Sequence, residues 1–260
     1  MGKNKLKKFA EMETFHNVFQ CGAREILPDN PIAQMAGHWR DQYFHNSNPI
    51  VLELGCGRGE YTVGLAQLYP DKNFIGIDIK GARMWAGAKQ AEQAGMTNVA
   101  FLRTNIEMLT SFFAADEVDE IWITFPDPQM KKATKRLTST YFMQRYQQVA
   151  RSGGLIHLKT DSPFLYMYTR EMVRLNTYPV IADTGDLYAT DDALTPLSEA
   201  KMLQTHYEHQ WLDRGLTIKY LCWQLVHKSA WEEPQIEIEK DTYRSYGRNY
   251  VSPVEPTSKQ

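Results

Sequence analysis

A short apolar strand that runs directly into a glycine-rich turn constrains this chain more than any other feature. Residues 51–54 read Val-Leu-Glu-Leu and are followed by Gly55-Cys56-Gly57-Arg58-Gly59. Glycine adopts left-handed backbone conformations at little cost, so a ligand can approach the bare main chain, and the N-terminus of a following helix turns N–H groups toward that ligand. A carboxylate inside such a strand is costly to bury unless a cation or hydrogen-bond donors lie against it. The pattern therefore predicts a cofactor site at Glu53 and the turn.

A second strand supplies the next part of this site. Asp78 directly follows the predicted strand over residues 73–77 and lies nineteen residues after Gly59. In a doubly wound domain, this spacing suits a carboxylate that binds the diol of a cofactor ribose. A dinucleotide fingerprint would have its third glycine at position 60, but Glu60 is a poor match for a pyrophosphate. S-adenosylmethionine carries an ammonium, a sulfonium and a ribose, which all favour acidic neighbours. The glycine and acidic positions resemble the adenosylmethionine-binding motifs of class I methyltransferases: Glu53, Gly55, Gly57, Gly59 and Asp78.

The composition limits how the chain can bind a polyanion such as a nucleic acid. The net charge is −2 and the pI about 6.4, so a nucleic acid would have to bind a local basic face. Three scattered cysteines have no metal-ligand spacing and fit a reducing cytosol. No apolar run approaches the about eighteen residues of a membrane span. The basic residues 1–8 lead into no apolar signal core. We expect a cytoplasmic protein whose start is a solvated tail, with an RNA-binding arm as the alternative.

Segments with strand character alternate with segments of helix length from about residue 49 onward. Strands are predicted over 50–54, 74–78, 99–103, 119–124 and 154–159, helices over 60–69, 82–94, 138–150, 163–176 and 198–213, and one more, antiparallel strand within 216–226. This alternation predicts βαβ units around a largely parallel sheet. The chain divides into an N-terminal extension (1–48), the main domain (49–228) and an extended C-terminal tail (229–260).

Polar side chains follow the later strands, at the edge where ligands of an open α/β sheet bind. Asn105 follows the third strand and is placed either for the adenine or ribose edge of a cofactor or as a helix cap. Asp127 follows the fourth strand between two prolines, which fix its backbone. Asp161 follows the fifth strand, where it could simply cap the helix that begins at Pro163. His157 lies inside that strand and is expected to pack in the core.

Two further groups of residues are candidates for contacts with a substrate. Four cations lie within residues 131–136, shortly after Pro128: Lys131, Lys132, Lys135 and Arg136. Such a run is often only a solvated face, but its place beside the predicted cleft favours phosphate binding. Thr205 and Glu208 lie at i and i+3 on a predicted helix, where the alternative is a surface or capping pair. His206 and His209 lack a carboxylate or cysteine partner at metal spacing, so no metal is predicted.

Taken in order over residues 49–228, these motifs resemble the bacterial tRNA (guanine-N7-)-methyltransferase family. The most specific are Phe125-Pro126-Asp127-Pro128 with the basic run, and Thr205-x-x-Glu208. The resemblance implies an α/β, Rossmann-like class I methyltransferase fold with a mostly parallel seven-stranded sheet flanked by helices. It also implies methyl transfer from S-adenosylmethionine to N7 of the guanine at position 46 in the tRNA variable loop.

The resemblance further implies a role for each matched residue. Asp127 would be the catalytic residue, and the cofactor contacts would be Glu53, Gly55, Gly57, Asp78, Asn105 and Asp127. The substrate contacts would be Lys131, Asp161, Thr205, His206, Tyr207 and Glu208. The protein would act on tRNA as a monomer or homodimer in the cytoplasm, without a metal and without a membrane.

The chemistry of guanine N7 agrees with these residue types. N7 carries a free lone pair, so it can attack the methyl group without losing a proton, and no His or Cys nucleophile is required. A fixed carboxylate such as Asp127 would stabilise the positive charge that develops on the ring. The N1–H and N2–H₂ edge needs acceptors, such as Asp161 and Glu208, and O6 needs a donor such as Thr205. The alternatives are an amino-group RNA or DNA methyltransferase and a non-catalytic tRNA-binding Rossmann-like protein, whereas Glu60 disfavours a nicotinamide oxidoreductase.

Overall fold

Eight strands form a single sheet in the computed structural model, which describes residues 3–27, 29–191 and 196–242. Across the sheet their order is β1-β4-β3-β2-β5-β6-β8-β7. In chain order the strands are β1 (Val18–Gln20), β2 (Ile50–Leu54), β3 (Asn73–Ile77), β4 (Val99–Arg103), β5 (Val118–Thr124), β6 (Ala150–Thr160), β7 (Val180–Thr184) and β8 (Lys219–Gln224). Neighbouring strands are parallel, except that β8 runs antiparallel to both β6 and β7.

Helices and short helical turns connect the strands. The α-helices are α1 (Lys3–Met12), α2 (Glu60–Leu68), α3 (Gly81–Gln93), α4 (Thr140–Val149), α5 (Pro163–Leu175), α6 (Leu197–Met202) and α7 (His206–Leu212). 3₁₀ turns lie at Ala33–Met35, Ile106–Ser111 and Ala133–Lys135, and a π-helical turn lies at Trp39–Tyr43. The strand order changes direction between β2 and β5, and ligands of open α/β sheets bind at the carboxyl ends of the strands beside such a point.

Helices cover both faces of the central strands, which explains their unbroken apolar sequences. Every residue of β2 and β3 is buried, as expected for parallel strands packed on two sides. Successive side chains point to opposite faces, so Val51 belongs to one apolar cluster and Leu52 to the other. Glu53 follows the same alternation and points to the side of Val51, toward α2.

The predicted α/β class and methyltransferase-like, mostly parallel sheet are confirmed, but the sheet has eight strands rather than seven. The additional strand is β1, which comes from the N-terminal extension and pairs with the edge of β4. The predicted late antiparallel strand is present as β8. The helix predicted over 198–213 is wrong as one element, because the chain breaks between α6 and α7.

From Lys3 onward the basic start of the chain is part of helix α1 rather than an irregular tail, and the end of this helix packs on α3, while Lys5 and Lys7 remain exposed. Met12 at the end of α1 is fully buried. The carboxylate of Glu11 accepts hydrogen bonds from the indole of Trp85 at 2.9 Å and from Nζ of Lys89 at 2.6 Å, both on α3. Within the described ranges, no helix is both long and apolar enough to cross a membrane.

The described part of the tail, residues 229–242, contains neither helix nor strand and lies against the domain. The carboxylate of Glu233 accepts hydrogen bonds from the hydroxyls of Thr140 on α4 (2.6 Å) and Tyr168 on α5 (2.5 Å). The domain boundaries drawn at residues 48 and 228 stay a prediction.

Candidate active site

A cleft of about 510 Å³ opens at the carboxyl ends of β2, β3, β4 and β5, and the start of α7 closes one side of it. Eight of the residues predicted from the sequence line this cleft together: Glu53, Gly55, Gly57, Asp78, Asn105, Asp127, Thr205 and Tyr207. Four other predicted residues are not part of its lining: Lys131, Asp161, His206 and Glu208.

Glu53 joins three elements at the floor of the cleft. Only 4% of the residue is exposed. Its Oε2 accepts hydrogen bonds from the backbone N–H of Thr62 on α2, at 2.8 Å, and from the hydroxyl of the same residue, while its Oε1 accepts from the hydroxyl of Thr124 on β5 at 2.8 Å. Burial raises the pKa of Glu53 to about 7, although these hydrogen bonds oppose the shift. The carboxyl group therefore changes charge close to neutral pH.

The glycine turn has the left-handed backbone that its sequence predicts. Gly55, Gly57 and Gly59 have φ angles of +80°, +54° and +74°, which other residues adopt only with strain. Asp78, at the end of β3, stabilises this turn, because its Oδ2 accepts the backbone N–H of Gly57 at 3.0 Å. Its Oδ1 accepts the N–H of Lys80 at 2.7 Å. The two acids and the bare turn form one continuous acidic wall of the cleft.

The end of β4 adds two polar side chains to the cleft. Asn105 precedes the 3₁₀ turn, but its side chain makes no capping hydrogen bond, so the alternative that it caps a helix is wrong. Its amide lies in the lining of the cleft. The hydroxyl of Thr104 beside it is buried in that lining and has no hydrogen-bond partner within the residues that the structure describes. A buried polar atom without a partner is costly, so this position favours a bound polar ligand.

The loop that carries Asp127 is held in a strained conformation. Phe125 and Gln129, at its two ends, both have φ angles of +47°, which is uncommon for residues with a Cβ and occurs often at functional sites. The N–H of Phe125 donates to the carbonyl oxygen of Lys159 at 2.8 Å, and Oδ1 of Asp127 accepts the N–H of Gln129 at 3.1 Å. The flanking prolines are buried and Asp127 is exposed. The loop therefore presents a carboxylate on a fixed backbone.

The basic run after this loop divides into a structural and an exposed part. The guanidinium of Arg136 donates to the carbonyl oxygens of Gln129 and Met130 at 3.3 Å and lies 4.3 Å from the ring centre of Tyr168. Arg136 is 9% exposed, so the prediction that it binds phosphate is wrong, and it supports the loop instead. Lys135 lines the cleft and pairs with Glu107 at 2.7 Å.

The other two cations of the run are accessible from outside. Lys131 and Lys132 are both exposed next to the Asp127 loop, although neither lines the cleft itself. This location fits a contact with a substrate that extends beyond the cleft.

Helix α7 begins with a capping box, which was the alternative interpretation of its Thr-x-x-Glu motif. The hydroxyl of Thr205 accepts the N–H of Glu208 at 3.2 Å, and Oε2 of Glu208 accepts the N–H of Thr205 at 3.3 Å. The N–H of His206 donates to Oε2 of Glu60 at 2.9 Å, which ties α7 to the start of α2. Tyr207 lies in the lining of the cleft and is 37% exposed.

Glu208 lies behind the cleft in a buried ion pair. Its Oε1 is 2.7 Å from Nζ of Lys159, and both side chains are 0% exposed. The hydroxyl of Tyr188 donates to the same oxygen at 2.6 Å. Burial lowers the pKa of Lys159 to about 8, against the opposing effect of Glu208. The acceptor that we expected to face a substrate is thus occupied by protein groups.

Asp161 and His157 are also interior residues. Asp161 is fully buried, and Ser162 rather than Asp161 caps α5, because the hydroxyl of Ser162 accepts the N–H of Leu165 at 3.0 Å. The ring of His157 stacks on Trp122 with centroids 4.0 Å apart, which confirms its expected place in the core. Among the residues described, no group of three or more His, Cys, Asp or Glu side chains is arranged to hold a metal ion.

Several residues of the site were not predicted from the sequence. Lys80, Arg83 and Trp211 line the cleft but carry no local pattern that separates them from ordinary helix residues. Lys159 did carry a signal, because a lone cation that ends an apolar strand needs a buried partner.

Comparisons with known proteins agree with this geometry. A family described as putative methyltransferases matches residues 47–221. A tRNA (guanine-N(7)-)-methyltransferase of Bacteroides thetaiotaomicron is 56% identical over 259 residues, which covers 100% of each chain. A protein of the same name from Porphyromonas gingivalis is 57% identical and covers 95% of this chain and 100% of its own.

A solved structure shows the same fold. The 16S rRNA (adenine(1408)-N(1))-methyltransferase from Catenulisporales acidiphilia matches with a TM-score of 0.51 at 15% identity, over 72% of this chain and 91% of that chain. The fold and the cleft define a class I methyltransferase. The chain belongs to the tRNA (guanine-N7-)-methyltransferase family.

We expect Glu53→Gln to change how stability depends on pH. In the folded protein the pKa of Glu53 is about 7, above its ordinary value of 4.5. Protonated Glu53 therefore stabilises the wild-type fold fully below pH 4.5, and this contribution is lost as the pH rises through 7. Glutamine keeps an oxygen for Thr62 and can donate to the Thr124 hydroxyl. Relative to wild type, the free energy of unfolding of the variant should rise by about 2–3 kcal/mol between pH 5 and 8. Chemical denaturation measures this, and a pH-independent difference would contradict it.

Proposed function

We propose that this protein transfers the methyl group of S-adenosylmethionine to N7 of a guanine in tRNA, the variable-loop guanine at position 46. The observation that carries the proposal is a cleft with two unlike walls. One wall is the acidic glycine turn, and the other is formed by the Asp127 loop and the start of α7. Relatives at 52–57% identity that carry this name support the choice of reaction.

The acidic wall fits S-adenosylmethionine better than a dinucleotide. Glu53, Glu60 and Asp78 all lie in the lining, and three carboxyl groups around the start of α2 would repel a pyrophosphate but attract an ammonium or a sulfonium. The left-handed glycines leave the turn without side chains, so a ligand can approach the main chain, and the hydroxyl of Thr104 lacks a partner within the described residues. When bound, S-adenosylmethionine supplies an electrophilic methyl group on a cationic sulfur. We assign its binding to Glu53, Gly55, Gly57, Asp78, Asn105 and Asp127.

The opposite wall can act on a guanine without removing a proton. N7 attacks with its own lone pair, so the chain needs only to place the ring and to stabilise its developing positive charge. We propose that Asp127 is the catalytic residue, because its carboxylate is exposed at the cleft on a loop that Arg136 supports. A preorganised charge needs little reorganisation in the transition state, and positioning of two reactants can contribute about 7–11 kcal/mol.

The substrate residues have different roles in this proposal. Tyr207 offers a half-exposed ring at the cleft on which an unstacked base can lie, and Thr205 lines the cleft beside it. Lys131 lies outside the cleft, where it can reach phosphate. For Asp161, His206 and Glu208 we propose positioning roles. Asp161 and Glu208 are buried, and His206 acts through the hydrogen bond from its backbone N–H to Glu60. The proposal includes a cytoplasmic location, since tRNA is made and used there.

The direct test is methyl transfer from labelled S-adenosylmethionine to unmodified tRNA, followed by nucleoside identification. We expect the label in N7-methylguanosine alone. A matched tRNA with adenine in place of guanine 46 should accept no label, because no other guanine should be presented to the cleft. Label in an exocyclic amino group would identify an amino-group methyltransferase, and absence of transfer would identify a binding protein. Either result would overturn the proposal.

Asp127→Asn keeps the shape of the side chain and an oxygen for the N–H of Gln129 but removes the charge. We expect the single-turnover rate to fall by roughly 10²–10³, the range for the loss of one preorganised electrostatic group. Asp71→Asn is the matched control, since Asp71 is an exposed acid that does not line the cleft, and it should react at the wild-type rate. Equal rates for the two variants would show that Asp127 is not catalytic.

Neutralising Lys131 and Lys132 to Gln should weaken tRNA binding and lower its salt dependence. Two lost phosphate contacts reduce the slope of log K against log salt by about one to two units, while the affinity for S-adenosylmethionine should stay unchanged. The control is the double variant Arg151→Gln with Arg174→Gln, which also removes two positive charges. These exposed side chains lie near the start of β6 and the end of α5, at the end of the strands opposite the cleft. If the salt slope of tRNA binding is the same in both double variants, Lys131 and Lys132 do not bind phosphate and are only solvated side chains.

A further inference from the structure

One buried lysine contacts both walls of the cleft. Lys159 ends the apolar part of β6 and is fully buried. Its carbonyl oxygen accepts the N–H of Phe125, at the start of the Asp127 loop, at 2.8 Å. Its side chain points to the other wall, toward the segment that joins α6 to α7. The backbone and the side chain of one residue thus hold two elements that are distant in the sequence.

The ammonium of Lys159 is satisfied by acceptors on α6, on α7 and in the segment that joins them. Nζ lies 2.6 Å from the carbonyl oxygen of Ala200, 2.9 Å from that of Leu203 and 2.7 Å from Oε1 of Glu208. An ammonium has three hydrogen-bond donors, so each donor has one acceptor. The rings of Tyr61 and Tyr188 lie over the ammonium at 5.4 and 5.8 Å. The three contacts fix the end of α6, the connection and the first turn of α7.

Stability alone is a weak reason for such an arrangement. Burial of an ion pair carries a desolvation penalty that often exceeds its attraction, and well-packed apolar side chains frequently serve stability as well or better. An apolar side chain, however, would not fix the carbonyl oxygens of residues 200 and 203 or the carboxylate of Glu208 at one point. The contact set therefore specifies a position for α7 rather than additional burial.

We propose that Lys159 is a positioning residue that fixes the separation of the Asp127 loop from α7, and thereby the placement of the guanine ring for methyl transfer. This inference rests on the proposed function. Glu208 acts through the same contact set, as the anion that anchors α7, and does not touch the base. Thr205 and Tyr207 line the cleft, and the Lys159 contacts hold the turn that carries them against the end of β6, in addition to the bond from the His206 N–H to Glu60.

The test is the double variant Lys159→Met with Glu208→Gln, which removes both charges, so that no buried charge is left unpaired, and withdraws the donor from the carbonyl oxygens of Ala200 and Leu203. Glutamine still accepts the N–H of Thr205, so the capping box can persist. We expect the single-turnover rate at saturating tRNA and S-adenosylmethionine to fall by about 10–100-fold, since a displacement of about 1 Å at a reacting centre can have such an effect. Both dissociation constants should stay within about threefold of wild type. Amide hydrogen exchange should become faster over residues 200–208 and stay unchanged over β2 and β3.

Tyr188→Phe is the matched control in the same buried cluster. It removes one hydrogen bond to Glu208 but leaves all three contacts of the ammonium intact, so its transfer rate should remain within about threefold of wild type. A double variant that reacts at the wild-type rate, or a control that slows as much as the double variant, would overturn the inference.

Two further readouts keep the inference separate from the proposed function. If wild type forms no N7-methylguanosine, the proposed function fails, while faster exchange confined to residues 200–208 still supports the positioning role and unchanged exchange still refutes it. If the double variant does not fold, Glu208→Gln alone replaces it. That variant should show a threefold to tenfold slower transfer with faster exchange in the same segment, and wild-type values of both would overturn the inference.

Discussion

The hydrogen bonds of one buried carboxylate organise the site. Glu53 lies next to the last residue of β2 and accepts hydrogen bonds from Thr62 on α2 and from Thr124 on β5. These are the elements on either side of the point where the strand order changes direction. Because Glu53 binds both, the glycine turn before α2 and the Asp127 loop after β5 open into the same cleft. Burial also keeps the pKa of this group near 7, so a cationic ligand would meet a carboxyl group that can ionise on binding.

The cleft suits a reaction in which placement and charge do the catalytic work. The only histidine among the central strands, His157, stacks on Trp122 in the core of the described sheet and lies away from the cleft. Asp127 is an exposed carboxylate on a strained, supported loop, whereas Glu53 is a buried one. The two acids therefore have different roles because their surroundings differ. Methylation of a ring nitrogen with a free lone pair needs no proton acceptor, which is consistent with this set of groups.

The parts of the site that depend on local backbone chemistry could be predicted from the sequence. The glycine turn and Asp78 follow from strand and turn patterns within a short stretch, and the structure brings them together as expected. Burial of charged residues could not be predicted in the same way. Glu208 and Arg136 lie in polar sequences that suggest exposure, but their partners, Lys159 and the ring of Tyr168, come from other elements. The three-residue strand β1 is too short to have a readable period.

The central claim is that the cleft places a guanine N7 against the methyl donor between the acidic wall and the Asp127 loop. A crystal structure of the protein with S-adenosylhomocysteine and tRNA would test it most directly. We expect the sulfur between the glycine turn and the Asp127 loop, N7 of one flipped-out guanine facing it, and the Lys159–Glu208 pair intact behind α7. A guanine bound outside this cleft, or one held directly by Glu208 with the buried pair broken, would contradict the account.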